Sequence, residues 1–144
     1  MKKKVYLDVC CFNRPFDPQD DIRVRLETEA KLEVQDRIQN KQLELVWSYV
    51  MDFENSANPF DERREAIEKW RRYALTDIGE SKEALEKAEC IMRKGIQSKD
   101  ALHVACAIMA GCNYFLTTDD KILKKMKECD EIEVINPADF LLGE

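Results

Sequence analysis

A short apolar run that stops on an acid restricts this chain more than any other feature. Val5, Tyr6 and Leu7 suit a pleated, buried strand, and Pro15 forbids the strand from continuing past the loop that follows. Lys4–Leu7 therefore predicts a first strand, with Asp8 at its end and Asn13, Arg14, Pro15 and Asp17 in the loop behind it. In open α/β sheets, ligands bind at the carboxyl edge of the strands. An acid in that place is a candidate founder of a metal site.

The rest of the chain alternates helical and extended patterns. Ile22, Leu26, Ala30, Val34 and Ile38 recur at helical spacing across Asp20–Lys41, and Leu43–Trp47 reads as a second strand. Ser48 is an N-cap candidate for a helix carrying Phe53 and Glu54 that closes at Asn58-Pro59. A second amphipathic helix is expected over Asp61–Leu75, then a connector at Thr76–Gly79 with room for a short strand. Ser81 opens a further helix, which Gly95 terminates. Ser98 is expected to cap the next one, whose run Ala101–Ala110 is apolar except at His103, the mark of a buried helix.

Gly111 ends that helix, and Tyr114–Thr117 reads as a strand stopping at Thr118-Asp119-Asp120. A charged helix (Lys121–Glu128), a last strand (Glu133–Ile135) and a short segment after Pro137 follow. Helices between successive strands predict an α/β sandwich with a mostly parallel sheet and right-handed crossovers. At 144 residues the expectation is a single domain over 1–144.

Charge narrows the function classes. A formal charge of −6 argues against a protein that coats nucleic acid by bulk attraction. It leaves a nuclease open, because metal-binding carboxylates count as negative until the metal arrives. The six cysteines include no C-x-x-C pair of the zinc-binding kind, and several fall in apolar contexts where a thiol behaves as a small hydrophobe. Lys2–Lys4 precedes an apolar run too short for a secretory leader, and no window approaches the ~20 apolar residues of a membrane span. A cytoplasmic protein with reduced thiols is expected.

The topology predicts where acids meet. Asp8 and Asp119 each stand where a parallel strand ends, and Asp100 stands in the first turn of a helix that begins at the same sheet edge. Asp100 is also explained by the helix dipole alone. Glu54 lies about 9 Å down its helix from Ser48 at ~1.5 Å per residue, so Asp52 competes with it on geometry. Carboxylates held together repel unless a cation compensates them, and hard oxygen donors select Mg²⁺ or Mn²⁺ over zinc. Two such ions can clamp a phosphodiester for in-line attack.

In this order the motifs resemble those of the PIN-domain family of metal-dependent nucleases. The motifs are VYLD with its C-x-x-N-R-P-F-D loop, the Ser48-to-Glu54 helix, KDALHVACA (Lys99–Ala107) and YFLTTDD (Tyr114–Asp120). The resemblance spans essentially the whole chain. It implies a three-layer α/β/α, PIN-like fold with a mostly parallel sheet of about five strands, and an acidic metal site of Asp8, Glu54, Asp100 and Asp119. It further implies a Mg²⁺- or Mn²⁺-dependent endoribonuclease that cuts single-stranded RNA, the toxin of a toxin–antitoxin pair, with a cognate antitoxin and a homodimeric state. The alternative is a noncatalytic PIN module that binds RNA or a protein partner, which the acidic surface and Cys10 favour.

Other residues carry weaker expectations. Arg14 suits a substrate phosphate, or a salt bridge to Asp17 or a loop carbonyl; Thr117 and Thr118 suit a metal-bound water or a ligand carboxylate, or nothing beyond their strand end. Asp119 is preferred to Asp120 by register after Thr117. His103, one turn after Asp100, reads as a core histidine before an acid–base residue, and Trp70 and Tyr73 as packing before base stacking. A phosphatase with Asp8 as nucleophile fits poorly, since Cys10 stands where such sites carry a second acid.

Overall fold

Val5, Tyr6 and Leu7 are buried on both faces because their strand is the middle one of five. The computed structural model describes residues 2–143. Its strands are β1 (Lys3–Leu7), β2 (Leu43–Ser48), β3 (Ala74–Ile78), β4 (Tyr114–Leu116) and β5 (Glu133–Ile135), in the spatial order β3-β2-β1-β4-β5. All four pairings are parallel. The helices are α1 (Val9–Asn13), α2 (Ile22–Gln39), α3 (Tyr49–Ser56), α4 (Asp61–Trp70), α5 (Lys82–Met92), α6 (Ser98–Met109), α7 (Asp120–Lys125) and α8 (Pro137–Gly143). This is the expected three-layer α/β/α arrangement.

The strand order reverses at β1. The chain leaves β1 toward β2 and β3, then crosses to β4 on the other side. Right-handed crossovers in opposite directions put α2 and α6 on opposite faces, which opens a crevice past the ends of β1 and β4. The backbone N–H of Asp8 donates to the carbonyl of Leu116 at 2.9 Å, so the two strand ends that frame the crevice are tied together.

The core follows from the same placement. Tyr6 stacks on Phe115 with ring centroids 5.3 Å apart, and Phe12 meets Trp47 edge-on at 5.7 Å. Small buried residues on α6 (Ala101, Ala105, Ala107) let that helix lie close to its neighbours. Gly111, at φ 76°, closes α6 with the paired bonds of a Schellman turn: Gly111 N–H to Ile108 O and Cys112 N–H to Ala107 O. All six cysteines are free, with Cys11, Cys106 and Cys112 buried as apolar filling.

Local expectations failed in four places. The segment after Asp8 is not a loop but the short helix α1, capped by Asp8 and continued by a 3-10 turn at Arg14–Phe16 that accepts Pro15 at its start. The helix expected over Asp61–Leu75 ends at Trp70, and a 3-10 turn leads into the edge strand β3, where β2 offers Ala74, Thr76, Asp77 and Ile78 a pairing partner. Gln97, not Ser98, stands at the cap of α6, and it makes no side-chain cap bond. Ile22 and Leu26 are exposed; the buried face of α2 runs through Glu27, Ala30, Lys31, Val34, Gln35 and Ile38.

Glu27 explains that shift. Its buried carboxylate accepts from Arg14 Nε at 2.7 Å, Arg23 Nε at 3.0 Å and Asn136 Nδ2 at 2.6 Å, which turns this face of α2 inward. Arg14 also pairs with Asp17, and Arg63 of α4 with Asp17 and the Phe16 carbonyl, so the segment after α1 is held from three sides. Removing one partner of a fully buried pair costs ~3–5 kcal/mol, and less where the cations reach water. Glu27→Ala is expected to cost about 2 kcal/mol, read from the midpoint of urea unfolding.

Candidate metal centre

Each predicted acid can now be placed. Asp8 leaves the end of β1 as the N-cap of α1; its Oδ1 accepts from Val9 N–H at 2.8 Å. Its Oδ2 accepts from the Thr117 hydroxyl at 2.8 Å and lies 3.5 Å from Cys10 Sγ. Thr117 is fully buried and accepts in turn from the Asp119 N–H at 3.1 Å, so one hydroxyl links the two strand ends. Burial pushes the Asp8 carboxyl above the ordinary carboxylate range, and the nearby Glu54 adds to this; His103 and the Thr117 hydrogen bond oppose it without cancelling it.

Asp119 is the N-cap of α7, and its Oδ1 accepts from Lys121 N–H and Ile122 N–H at 2.9 and 3.3 Å. Asp120 points elsewhere: both its oxygens are held by Arg23, at 2.6 and 2.8 Å. The rivalry between Glu54 and Asp52 resolves in the same way. Asp52 accepts from the Trp47 indole at 2.9 Å on another side of α3, while Glu54 faces α6.

Glu54 reaches the cluster through a residue that the sequence reading placed in the core. His103 Nε2 lies 2.7 Å from Glu54 Oε1, and Asp8, Glu54 and His103 each offer a ligand atom within 4.8 Å of the others. The imidazole is fully buried, with Nδ1 2.6 Å from the Tyr6 hydroxyl, which is itself 2.6 Å from Ser48 Oγ. Burial alone would raise the Glu54 carboxyl; the hydrogen bond and charge of His103, helped by Lys99, outweigh it and hold the group below the ordinary range. An ionised carboxylate only accepts, so Nε2 carries a proton. Nδ1 shares a hydrogen bond with the Tyr6 hydroxyl, whose burial keeps the phenol protonated, and Tyr6 shares another with Ser48.

Asp100 stands in the first turn of α6. Its carboxyl is pushed up to about 6, first by burial and then by the negative charges of Asp8, Asp119 and Glu54, with His103 offsetting part. Among the described residues, Asp8, Glu54 and His103 come within ligand distance of one another; Asp100 and Asp119 do not join that group, and Asp100 feels it through charge. Arg14 makes the salt bridge to Asp17, the alternative to a substrate phosphate, and another to Glu27. Thr117 bonds a carboxylate of the cluster, that of Asp8.

The sequence signals for His103 and Tyr6 were positional. His103 follows Asp100 by one helical turn, and Tyr6 shares the face of β1 on which Asp8 stands. Chemically, the oxygen-rich set can hold a divalent cation, and the unrelieved repulsion on Asp100 is the load such an ion removes.

The architecture has a solved counterpart. A chain in the crystal structure of VapBC2 from Rickettsia felis bound to a DNA fragment from their promoter superposes with a TM-score of 0.56. It is 14% identical, and the match covers 92% of this chain and 98% of that chain. The fold is thus PIN-like. No family model and no curated protein matches the chain.

Two outcomes are expected. A carboxyl whose folded pKa lies above its unfolded one favours the folded state fully below about pH 4 and loses that contribution as pH rises through about 6. Without divalent cations, Asp100→Asn should therefore flatten the fall in stability between those pH values. Discounted for its solvent exposure, the variant should gain about 1 kcal/mol at pH 7 by chemical denaturation. Tyr6→Phe, which leaves the buried Nδ1 of His103 without its partner, should lose about 2 kcal/mol and shift the His103 ring ¹⁵N resonances.

Proposed function

We propose that the chain is a Mg²⁺- or Mn²⁺-dependent endoribonuclease acting on single-stranded RNA, the toxin of a toxin–antitoxin pair. One observation carries this reading: Asp8, Glu54 and His103, from the end of β1, from α3 and from α6, each offer a ligand atom within 4.8 Å of the others, with Asp100 close enough to feel the charge of Asp8 and Glu54. Repulsion of that kind is tolerated where a cation is to be bound.

Asp8, Glu54, Asp100 and Asp119 would hold the ion, and their hard oxygens fit Mg²⁺ or Mn²⁺. When bound, a divalent cation supplies Lewis-acid polarisation of a phosphate and activation of water. The chain's own part is orientation. Val9 N–H and the Thr117 hydroxyl fix both oxygens of Asp8, two amides of α7 fix one oxygen of Asp119, and His103 fixes one oxygen of Glu54. Arg14 acts in this reading by bracing the segment beside Asp8, through Glu27 and Asp17.

The likeness to a chain of VapBC2 supports the partner half of the reading, a cognate antitoxin. Among the described residues no helix is long and apolar enough to cross a membrane.

Asp8→Asn should abolish divalent-dependent cleavage of a single-stranded RNA panel, a loss of at least ~100-fold, while cooperative unfolding is retained. EDTA should stop the wild-type reaction and Mn²⁺ restore it. Cleavage that persists in EDTA overturns the reading.

A further inference from the structure

We propose that the cavity between α3 and α6, next to the acid cluster, seats one nucleobase of the strand whose phosphate lies at that cluster, a placement that presupposes the nuclease reading. The cavity has a volume of about 280 Å³ and is lined by Tyr49, Val50 and Phe53 of α3 and by Ser98, Lys99 and Leu102 of α6. It adjoins the cluster through the chain itself. Phe53 precedes Glu54, Lys99 precedes Asp100 and Leu102 precedes His103, so the same two helices present acids on one side and this lining on the other.

The lining has the chemistry of a nucleotide subsite. Phe53 is 70% exposed, a large aromatic ring left in water with its face available for stacking. The lining includes no carboxylate, although the chain as a whole carries a charge of −6. Lys99 is exposed, makes no ion pair among the described residues, and stands close enough to act on Glu54. The arginines beside the crevice are already engaged: Arg14 with Asp17 and Glu27, Arg23 with Glu27 and Asp120, Arg63 with Asp17.

An occupant of this place needs a flat apolar body and an anionic link within reach of Lys99. A nucleotide has both. A phosphate approaching four carboxylates meets repulsion, and Lys99 offsets it at the point where the strand turns from the cavity toward the acids. The volume falls just below the ~300–1,000 Å³ range of ordinary ligand pockets, which suits one ring system rather than the face of a partner helix.

The test measures binding of a fluorescent single-stranded oligoribonucleotide by anisotropy, in the Asp8→Asn background with Mg²⁺ so that the strand stays intact. Adding Phe53→Ala should weaken binding about tenfold, whereas Phe53→Trp should retain it and show indole quenching when RNA is added. Lys99→Gln should lower the slope of log affinity against log salt by about 0.7. An otherwise identical strand lacking bases should bind wild type and Phe53→Ala equally. Both Phe53 and Lys99 are exposed, so the variants should fold, as circular dichroism would check.

Affinity unchanged within twofold in Phe53→Ala and Lys99→Gln overturns the base site, as does the absence of measurable RNA binding. A change of oligomeric state in Phe53→Ala, with RNA affinity unaltered, assigns the cavity to a contact between copies and overturns it too. Cleavage that depends on Asp8 but not on Phe53 removes the base site and leaves the nuclease. Phe53-dependent binding without any cleavage removes the nuclease and leaves the base site.

Discussion

Negative charge gathered at one edge of a parallel sheet sets the terms for everything else in this protein. Asp8, Glu54, Asp100 and Asp119 stand at the end of β1, on α3, at the start of α6 and at the cap of α7, and the repulsion that Asp8 and Asp100 feel would drive them apart. The fold prevents this with short, directional bonds. A backbone amide and the Thr117 hydroxyl take both oxygens of Asp8, α7 takes one of Asp119, and His103 takes one of Glu54. Among the described residues Asp100 makes no such bond, and burial with the neighbouring charges pushes its carboxyl up to about 6.

A second charge network stabilises the frame around that edge. The buried Glu27 gathers Arg14, Arg23 and Asn136, and Arg23 continues to Asp120 and the Thr118 carbonyl. One helix, α2, is thereby fastened both to the segment after α1 and to the turn that carries Asp119. Adjacent acids at 119 and 120 divide the work: the first faces the crevice field, and the second anchors the turn from outside.

What the sequence disclosed depended on the range of the interaction. Strand ends at Asp8 and near Asp119, and the buried character of α6, were legible because hydrophobic period and turn residues are local signals. The end of α4 at Trp70 was not, because Ala74–Ile78 becomes a strand only through its pairing with β2. The exposed Ile22 and Leu26 misled for a related reason: the rotation of α2 is decided by a buried carboxylate whose partners lie as far away as Asn136. At the site, the acids could be nominated by position. His103 could not be separated from a core histidine, since what distinguishes it is Glu54, about fifty residues earlier in the chain.

The line Ser48–Tyr6–His103–Glu54 runs from a helix cap through the middle strand to the crevice rim. Tyr6 belongs at once to the packed centre, stacked on Phe115, and to the support of a carboxylate that meets the outside. The pocket therefore has no softness of its own. It inherits the stiffness of the sheet's innermost strand, and whatever loosens one loosens the other.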